Sequence, residues 1–259
     1  NGASIGDYYV LLITNYSNNP CNINFSQTGG SATTNCCILG GDAGNDNTLN
    51  ICNSDPAFIM ENQLLGTPDS GGVWYDATWA TAGSNNFNPS TWVSGTYAYI
   101  VPGSSASCPD DTSFLTVNIN PTPILNFPSF INVCSDNTPI NLTSATPAGG
   151  TYTGAGVNTN MFTPSINVLG SNTITYTYTD ASGCSNTATQ NILVNDIPYA
   201  TAVTTNVSCN GLADGNASLT ISGGTPTYAT NWNGNNPLNL GAGTYGYTVI
   251  DNNNCTYSD

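Results

Sequence analysis

Apolar and polar residues alternate with a period of two along several stretches of this chain. In "TITYTYT" (Thr173 to Thr179), Ile174, Tyr176 and Tyr178 fall on one face and the threonines on the other. Such alternation predicts a half-buried antiparallel strand with one side on a core. "FLTVNIN" (Phe114 to Asn120), "TQNILVN" (Thr189 to Asn195), "ASLTISG" (Ala217 to Gly223) and "YGYTVID" (Tyr245 to Asp251) read the same way. Clusters of Gly, Pro, Asn, Asp and Ser separate them at short intervals. The fold class is therefore all-β, built as small β-sandwiches.

The pattern repeats. Cys52, Cys134 and Cys209 each follow "NI", "NV" or "NVS", and Cys108, Cys184 and Cys255 each follow a Tyr-rich strand and a turn. Both series recur at about 70 to 80 residues, the mark of serial modules. "TPDSGGVWY" (from Thr67) resembles "TPAGGTY" (from Thr146), "FNPS" (from Phe87) resembles "FTPS" (from Phe162), and "DASGC" and "DNNNC" share one spacing from Asp to Cys. Proline-marked joints, "NINPTPIL" and "VNDIPYA", divide the chain into short, stiffly connected units. The units are residues 1–37, the end of a sandwich whose beginning is absent; 38–121; 122–196; and 197–259, in which the last strand is missing. One disulfide inside each unit is expected, Cys52–Cys108, Cys134–Cys184 and Cys209–Cys255, because units this small have cores that need staples. Each such loop would contribute up to ~4 kcal/mol. Cys21 and Cys36 are further disulfide candidates, and Cys37 has no assigned partner.

Charge narrows the function. The 259 residues include no Lys, Arg or His, and the fifteen acids give a formal net charge of -15. Phosphate contacts need basic side chains, so nucleic-acid binding is excluded, and an anionic membrane surface repels the chain. Nine cysteines suit an oxidising, extracellular setting. Zinc is the rival reading, but there is no His and the one close cysteine pair, Cys36-Cys37, is adjacent. No apolar run reaches the ~18 residues of a membrane span. No signal peptide is visible, and the abrupt opening reads as an interior piece of a longer protein.

Residues from about Ile197 to Asp259 resemble the SprB-type repeat of very large surface adhesins of gliding Bacteroidota. The marks are Cys209, Asp214-Gly215, "SGGTP" (Ser222 to Pro226), Trp232, "GAGTYGYTV" (Gly241 to Val249) and the run Asp251 to Cys255. The middle units resemble the Ig-like modules of the same proteins, and the opening "YYVLLITNYSNNPCNINFSQTGG" resembles a segment found beside them. The resemblance implies tandem Ig-like sandwiches, export by the type IX system, a cell-surface location, and a role in adhesion, gliding or filament formation. It carries no catalytic residue. The lack of basic residues departs from it.

Candidate chemistry is sparse. "GAGTYG" (Gly241 to Gly246) matches G-x-G-x-x-G, but a strand follows where a nucleotide site needs a helix. "DSG" (Asp69 to Gly71) lacks the second carboxylate of an aspartic-protease dyad and has the composition of a turn. No pair of carboxylates is nominated for acid–base work, so the chain reads as no enzyme. Calcium has better candidate ligands: Asp42 and Asp46 beside Asn45 and Asn47 in one loop, which Asp55, Asp110 and Asp111 approach if Cys52 joins Cys108. Solvated loop acids are the favoured reading of that set. Among Trp74, Tyr75, Trp79 and Trp92, at least two are expected in the core, one against a disulfide as in Ig-like sandwiches, and Trp79 is the surface candidate for stacking on a sugar. Of six N-x-[ST] sequons, at Asn15, Asn24, Asn141, Asn206, Asn216 and Asn254, most are read as accidents of an Asn- and Thr-rich chain, with glycosylation left open.

The expectation is an extracellular structural or adhesive stalk segment, with neighbouring modules or subunits as partners, joined by strand donation. The alternative is a carbohydrate-binding surface module that takes surface glycans. No cofactor is implied beyond the calcium candidate.

Overall fold

The computed structural model describes residues 41–103 and 108–259. The expected sandwich end at 1–37, with Cys21, Cys36 and Cys37, lies outside them. The described residues hold three separate apolar cores, at residues 43–119, 125–194 and 200–257.

The first sandwich contains β1 (Asn47–Cys52), β2 (Phe58–Ile59), β3 (Val73–Tyr75), β4 (Asn86–Phe87), β5 (Gly95–Val101) and β6 (Asp111–Asn120). One sheet has the order β1-β6-β5-β3, and β2 pairs with β4 to form the other. The second contains β7 (Val133–Cys134), β8 (Ile140–Asn141), β9 (Thr151–Thr153), β10 (Val157–Asn158), β11 (Met161–Phe162), β12 (Gly170–Thr179) and β13 (Ser185–Asn195). Its sheets are β7-β13-β12-β9 and β10-β11-β8. The main sheets of the first and second sandwiches thus repeat one topology, and the second adds β10 to the facing sheet. The third is smaller: β14 (Pro198–Thr205) pairs with β15 (Asn216–Gly223), and β16 (Ala229–Asn231), β17 (Thr248–Ile250) and β18 (Thr256–Ser258) form the facing sheet.

Alternation places the core residues. Along β12, Ile174 and Tyr176 are buried and Tyr178 packs at the margin, while the threonines face outward. Leu115 and Val117 do the same on β6, and Ile192 and Val194 on β13. One feature is absent from the periodic pattern: the opening strand runs parallel to the closing one. β1 pairs with β6 so that Cys52 lies opposite Asn120, and β7 pairs with β13 so that Cys134 lies opposite Asn195. Each first cysteine therefore stands at the far end of its own sandwich, beside the exit of the chain.

A buried tyrosine hydroxyl explains the recurring "TP…GG" segments. Tyr99 Oη donates to the Asp69 carbonyl at 2.8 Å and accepts from the Gly72 amide at 3.0 Å. Tyr176 Oη donates to the Pro147 carbonyl and accepts from the Gly150 amide at 2.8 Å. A Cβ on Gly72 or Gly150 would stand 2.5 Å from the tyrosine ring, so only glycine lets the turn close on it. The two "F-x-P-S" segments place Phe87 and Phe162 in equivalent fully buried positions. Burying a ring of this size is worth ~3 kcal/mol.

Candidate functional site: the cross-joint disulfides

The joint is built from two recurring local structures. The first is the hairpin turn before Cys184 and before Cys255. Asp180 Oδ1 accepts the amides of Ser182 at 2.9 Å and Cys184 at 3.0 Å, and the Asp180 amide donates to the Cys184 carbonyl at 2.9 Å. Asp251 repeats this with Asn253 at 2.9 Å and Cys255 at 2.8 Å. The residue before each cysteine is left-handed, Gly183 at φ 86° and Asn254 at φ 62°, a conformation that Gly and Asn reach most easily. This is the reason for the fixed Asp-to-Cys spacing: the carboxylate folds the turn and presents the sulfur at its end. Asp251 is only 4% exposed. Its second oxygen accepts the Thr225 amide at 2.8 Å, so the buried charge is fully hydrogen-bonded.

The second structure is the turn after each first cysteine. The Asp55 amide donates to the Cys52 carbonyl at 3.0 Å, Asn137 to Cys134 at 3.1 Å, and Leu212 to Cys209 at 3.2 Å. At the exits, the Asn53 amide donates to the Asn120 carbonyl and the Ser135 amide to the Asn195 carbonyl, each at 2.9 Å.

These two structures meet across the joints. Cys52 of the first sandwich is bonded to Cys184 of the second, and Cys134 of the second to Cys255 of the third, each with Cα atoms 5.6 Å apart. Each of the pairs expected within a unit, Cys52–Cys108, Cys134–Cys184 and Cys209–Cys255, is overturned. The physical reason is the parallel opening strand, which carries the first cysteine to the exit, where the next sandwich's turn is nearest. Cys108 is buried, and Cys209 is exposed as a thiol. Hydrogen bonds reinforce the joints: Asn186 Nδ2 donates to the Pro123 carbonyl at 3.0 Å, and Asn253 Nδ2 to Asn195 Oδ1 at 3.1 Å. Cys184 and Cys255 are fully buried, while Cys52 and Cys134 are half-buried, so each bridge is covered on one side.

The candidate calcium ligands gather at one end of the first sandwich but are already engaged. Asp111 Oδ2 accepts the Ala43 amide at 2.7 Å, Asp46 Oδ1 the Phe114 amide at 2.8 Å, Asp110 Oδ1 the Gly103 amide at 3.1 Å and Asp42 Oδ1 the Gly44 amide at 2.8 Å. Asp55 Oδ2 accepts the Cys52 amide at 2.9 Å. No group of three or more His, Cys, Asp or Glu side chains stands at metal-binding spacing among the described residues.

Trp79 is 62% exposed, at φ 61°, with its ring centroid 6.4 Å from that of Tyr75. Trp74 is buried against Tyr99 at 4.9 Å, rather than against a disulfide, and Trp92 packs on Phe87 and Tyr97. A cavity of about 310 Å³ beside Trp74 is also lined by Glu61, Thr81, Ser84 and Asn85. Trp74 Nε1 and Glu61 Oε2 are buried there without a partner. The "GAGTYG" segment is a non-helical stretch leading into β17, and "DSG" lies in the turn held by Tyr99.

Two surface aspartates, Asp76 half-buried and Asp214 exposed, have carboxyls below their ordinary range. The Thr78 hydroxyl and amide lower Asp76, and the Ser208 hydroxyl and amide lower Asp214. Burial, followed by the nearby Asp259 charge, raises the phenol of Tyr247.

A comparison with curated proteins finds no match. Among solved structures, the immunoglobulin domains 1–5 of Sidekick-1 align with 85% of this chain at 14% identity and a TM-score of 0.26; the chain spans 59% of that protein's structure. A three-Ig titin fragment, in an E-to-A mutated variant, aligns over 85% of this chain and 94% of its own length at 11% identity and a TM-score of 0.35. Extracellular domains 3–5 of Drosophila OTK align over 88% and 96% at 15% identity and a TM-score of 0.26. The all-β architecture stands on its own strand pairing. Residues 201–237, the heart of the third sandwich, match the SprB repeat family.

Proposed function

We propose that the chain is a load-bearing segment of an extracellular surface adhesin or filament. The observation that carries this reading is the pair of cross-joint disulfides. A bridge inside a module would stabilise that module alone, whereas these bridges fix each module to the next. They limit bending and give tension a covalent route past each joint. Its partners are neighbouring modules or subunits, and the outer edge of β18, which pairs only with β17, is where a donated strand would add. The SprB repeat supports a surface protein exported by the type IX system of a gliding member of the Bacteroidota. The reading calls for no catalysis, since ladder hydrogen bonds and cross-links resist extension by themselves. Immunogold labelling of intact cells that carry the protein should decorate the surface and its fibres. Label confined to the cell interior would overturn the proposal.

A second reading has its own observation. The exposed Trp79 beside Tyr75 is the kind of aromatic platform on which a sugar ring stacks. Glycan-array binding that disappears in Trp79→Ala would establish a carbohydrate-binding module, and unchanged or absent binding would dismiss it.

A further inference from the structure

We infer that Cys209 is one half of a third cross-joint disulfide, and that its partner is the cysteine of an Asp-x-x-x-Cys hairpin turn on another module of this kind. This deepens the stalk reading and rests on it.

Cys52 and Cys134 end their opening strands, and Cys209 stands four residues past the end of β14, whose partner β15 is antiparallel; each of the three begins a turn in which the residue three further on donates to its carbonyl. The first two are bonded to the second cysteine of the following sandwich. Those two bonds, at equivalent positions in the same chain, say what the third position is for. The expected local partner is closed to Cys209, because Cys255 is held by Cys134. The loop is held in place as well. Asp214 accepts the Ser208 amide at 3.0 Å and also the Ser208 hydroxyl, which fixes the residue before Cys209 while the thiol stays exposed.

The partner is specified by its chemistry. It is a hairpin in which a carboxylate accepts the amides two and four residues on, with a left-handed Gly or Asn before the cysteine, as at Asp180–Cys184 and Asp251–Cys255. Bond formation is an exchange. The Cys209 thiolate attacks a mixed disulfide between the partner cysteine and a small thiol or thiol oxidoreductase. The new S–S bond forms as the old one breaks, the carrier leaves as its thiolate, and the proton lost by Cys209 passes to it through solvent.

The test is peptide mapping of the native protein without reduction, after alkylation of free thiols. Chymotrypsin and an Asp-directed protease are needed, because the chain has no Lys or Arg. The expected result is the Cys209 peptide joined to a peptide that contains Asp-x-x-x-Cys. An alkylated Cys209, a Cys209–Cys209 dimer, or a bond to any other sequence overturns the inference. A second measurement uses the present chain extended beyond Asp259 by a further copy of residues 189–259. Cys209 should bond the copy's counterpart of Cys255, and Cys209→Ser should expose one additional thiol. A thiol count that falls by one or stays unchanged, with Cys52–Cys184 and Cys134–Cys255 intact, would refute it. Surface labelling is read separately, so a failed pairing on labelled fibres sinks this inference and leaves the stalk reading standing.

Discussion

Pulling on the second and third sandwiches tests the cross-joint connectivity directly. With handles at Thr122 and Asp259, the oxidised chain has a short covalent route: along the strand entering the second sandwich to Cys134, across to Cys255, and out. That route has only about 16 residues, or ~55 Å at ~3.4 Å per residue, and its first part already runs along the second sandwich. Force therefore bypasses both cores, and the oxidised chain should show almost no unfolding length. The bridge closes a sequence separation of 121 residues. Reduction, or Cys134→Ser without reductant, should release that loop, adding ~410 Å of contour length at ~3.4 Å per residue. Single-molecule force spectroscopy resolves lengths of this size. Bridges inside each sandwich would behave differently. They would leave the linker between them extensible in the oxidised chain and release two loops of about 50 and 46 residues, ~170 Å and ~155 Å. An oxidised unfolding event, or a reductive gain in those two increments, would refute the reasoning.

Four further outcomes are expected. Tyr176→Phe should lower unfolding free energy in the oxidised chain by ~1–3 kcal/mol, since it leaves the Gly150 amide without an acceptor; urea denaturation measures it, and no change would count against the hydroxyl clamp. Asp251→Ala strips the acceptor from three amides and should cost ~3 kcal/mol, seen as a lower melting temperature and faster reduction of Cys134–Cys255. The melting temperature at pH 4 should be no lower than at pH 7. Asp76 and Asp214 are held below the ordinary carboxylate value of 3.8, so their contribution is present above that value and is lost as pH falls below it through their lowered native values, while partial protonation relieves repulsion among fifteen acids. A fall between pH 7 and pH 4, followed by fluorescence, would contradict this. EDTA should leave the melting temperature unchanged, because the candidate carboxylates Asp42, Asp46, Asp110 and Asp111 already accept backbone amides; a drop on chelation would show a bound cation.

The long strands were legible because alternation reports directly on which side is buried: Ile174 and Tyr176, Leu115 and Val117, and Ile192 and Val194 could be assigned to the core from their spacing. Two-residue strands such as β8 and β11 carry too few positions to show a period. The direction of β1 and β7 was also hidden, since a period of two is the same for a parallel and an antiparallel neighbour. That omission propagated to the site. Six cysteines allow fifteen pairings, and loops closed locally look simpler. Only the parallel pairing that sets Cys52 beside Asn120 and Cys134 beside Asn195 shows that the sulfurs face the next sandwich. The Asp-to-Cys spacing was visible as a repeat, but spacing alone does not say where a sulfur points.

The two bridged loops overlap, since Cys134 and Cys184 each lie inside the loop closed by the other's bridge. A hydrolysed peptide bond anywhere between Cys52 and Cys255 is consequently spanned by at least one sulfur link, including bonds in the exposed connectors where proteases attack first. A strand of such units would tolerate scattered nicks without parting, and severing it would take both a cut and a reduction at the same place.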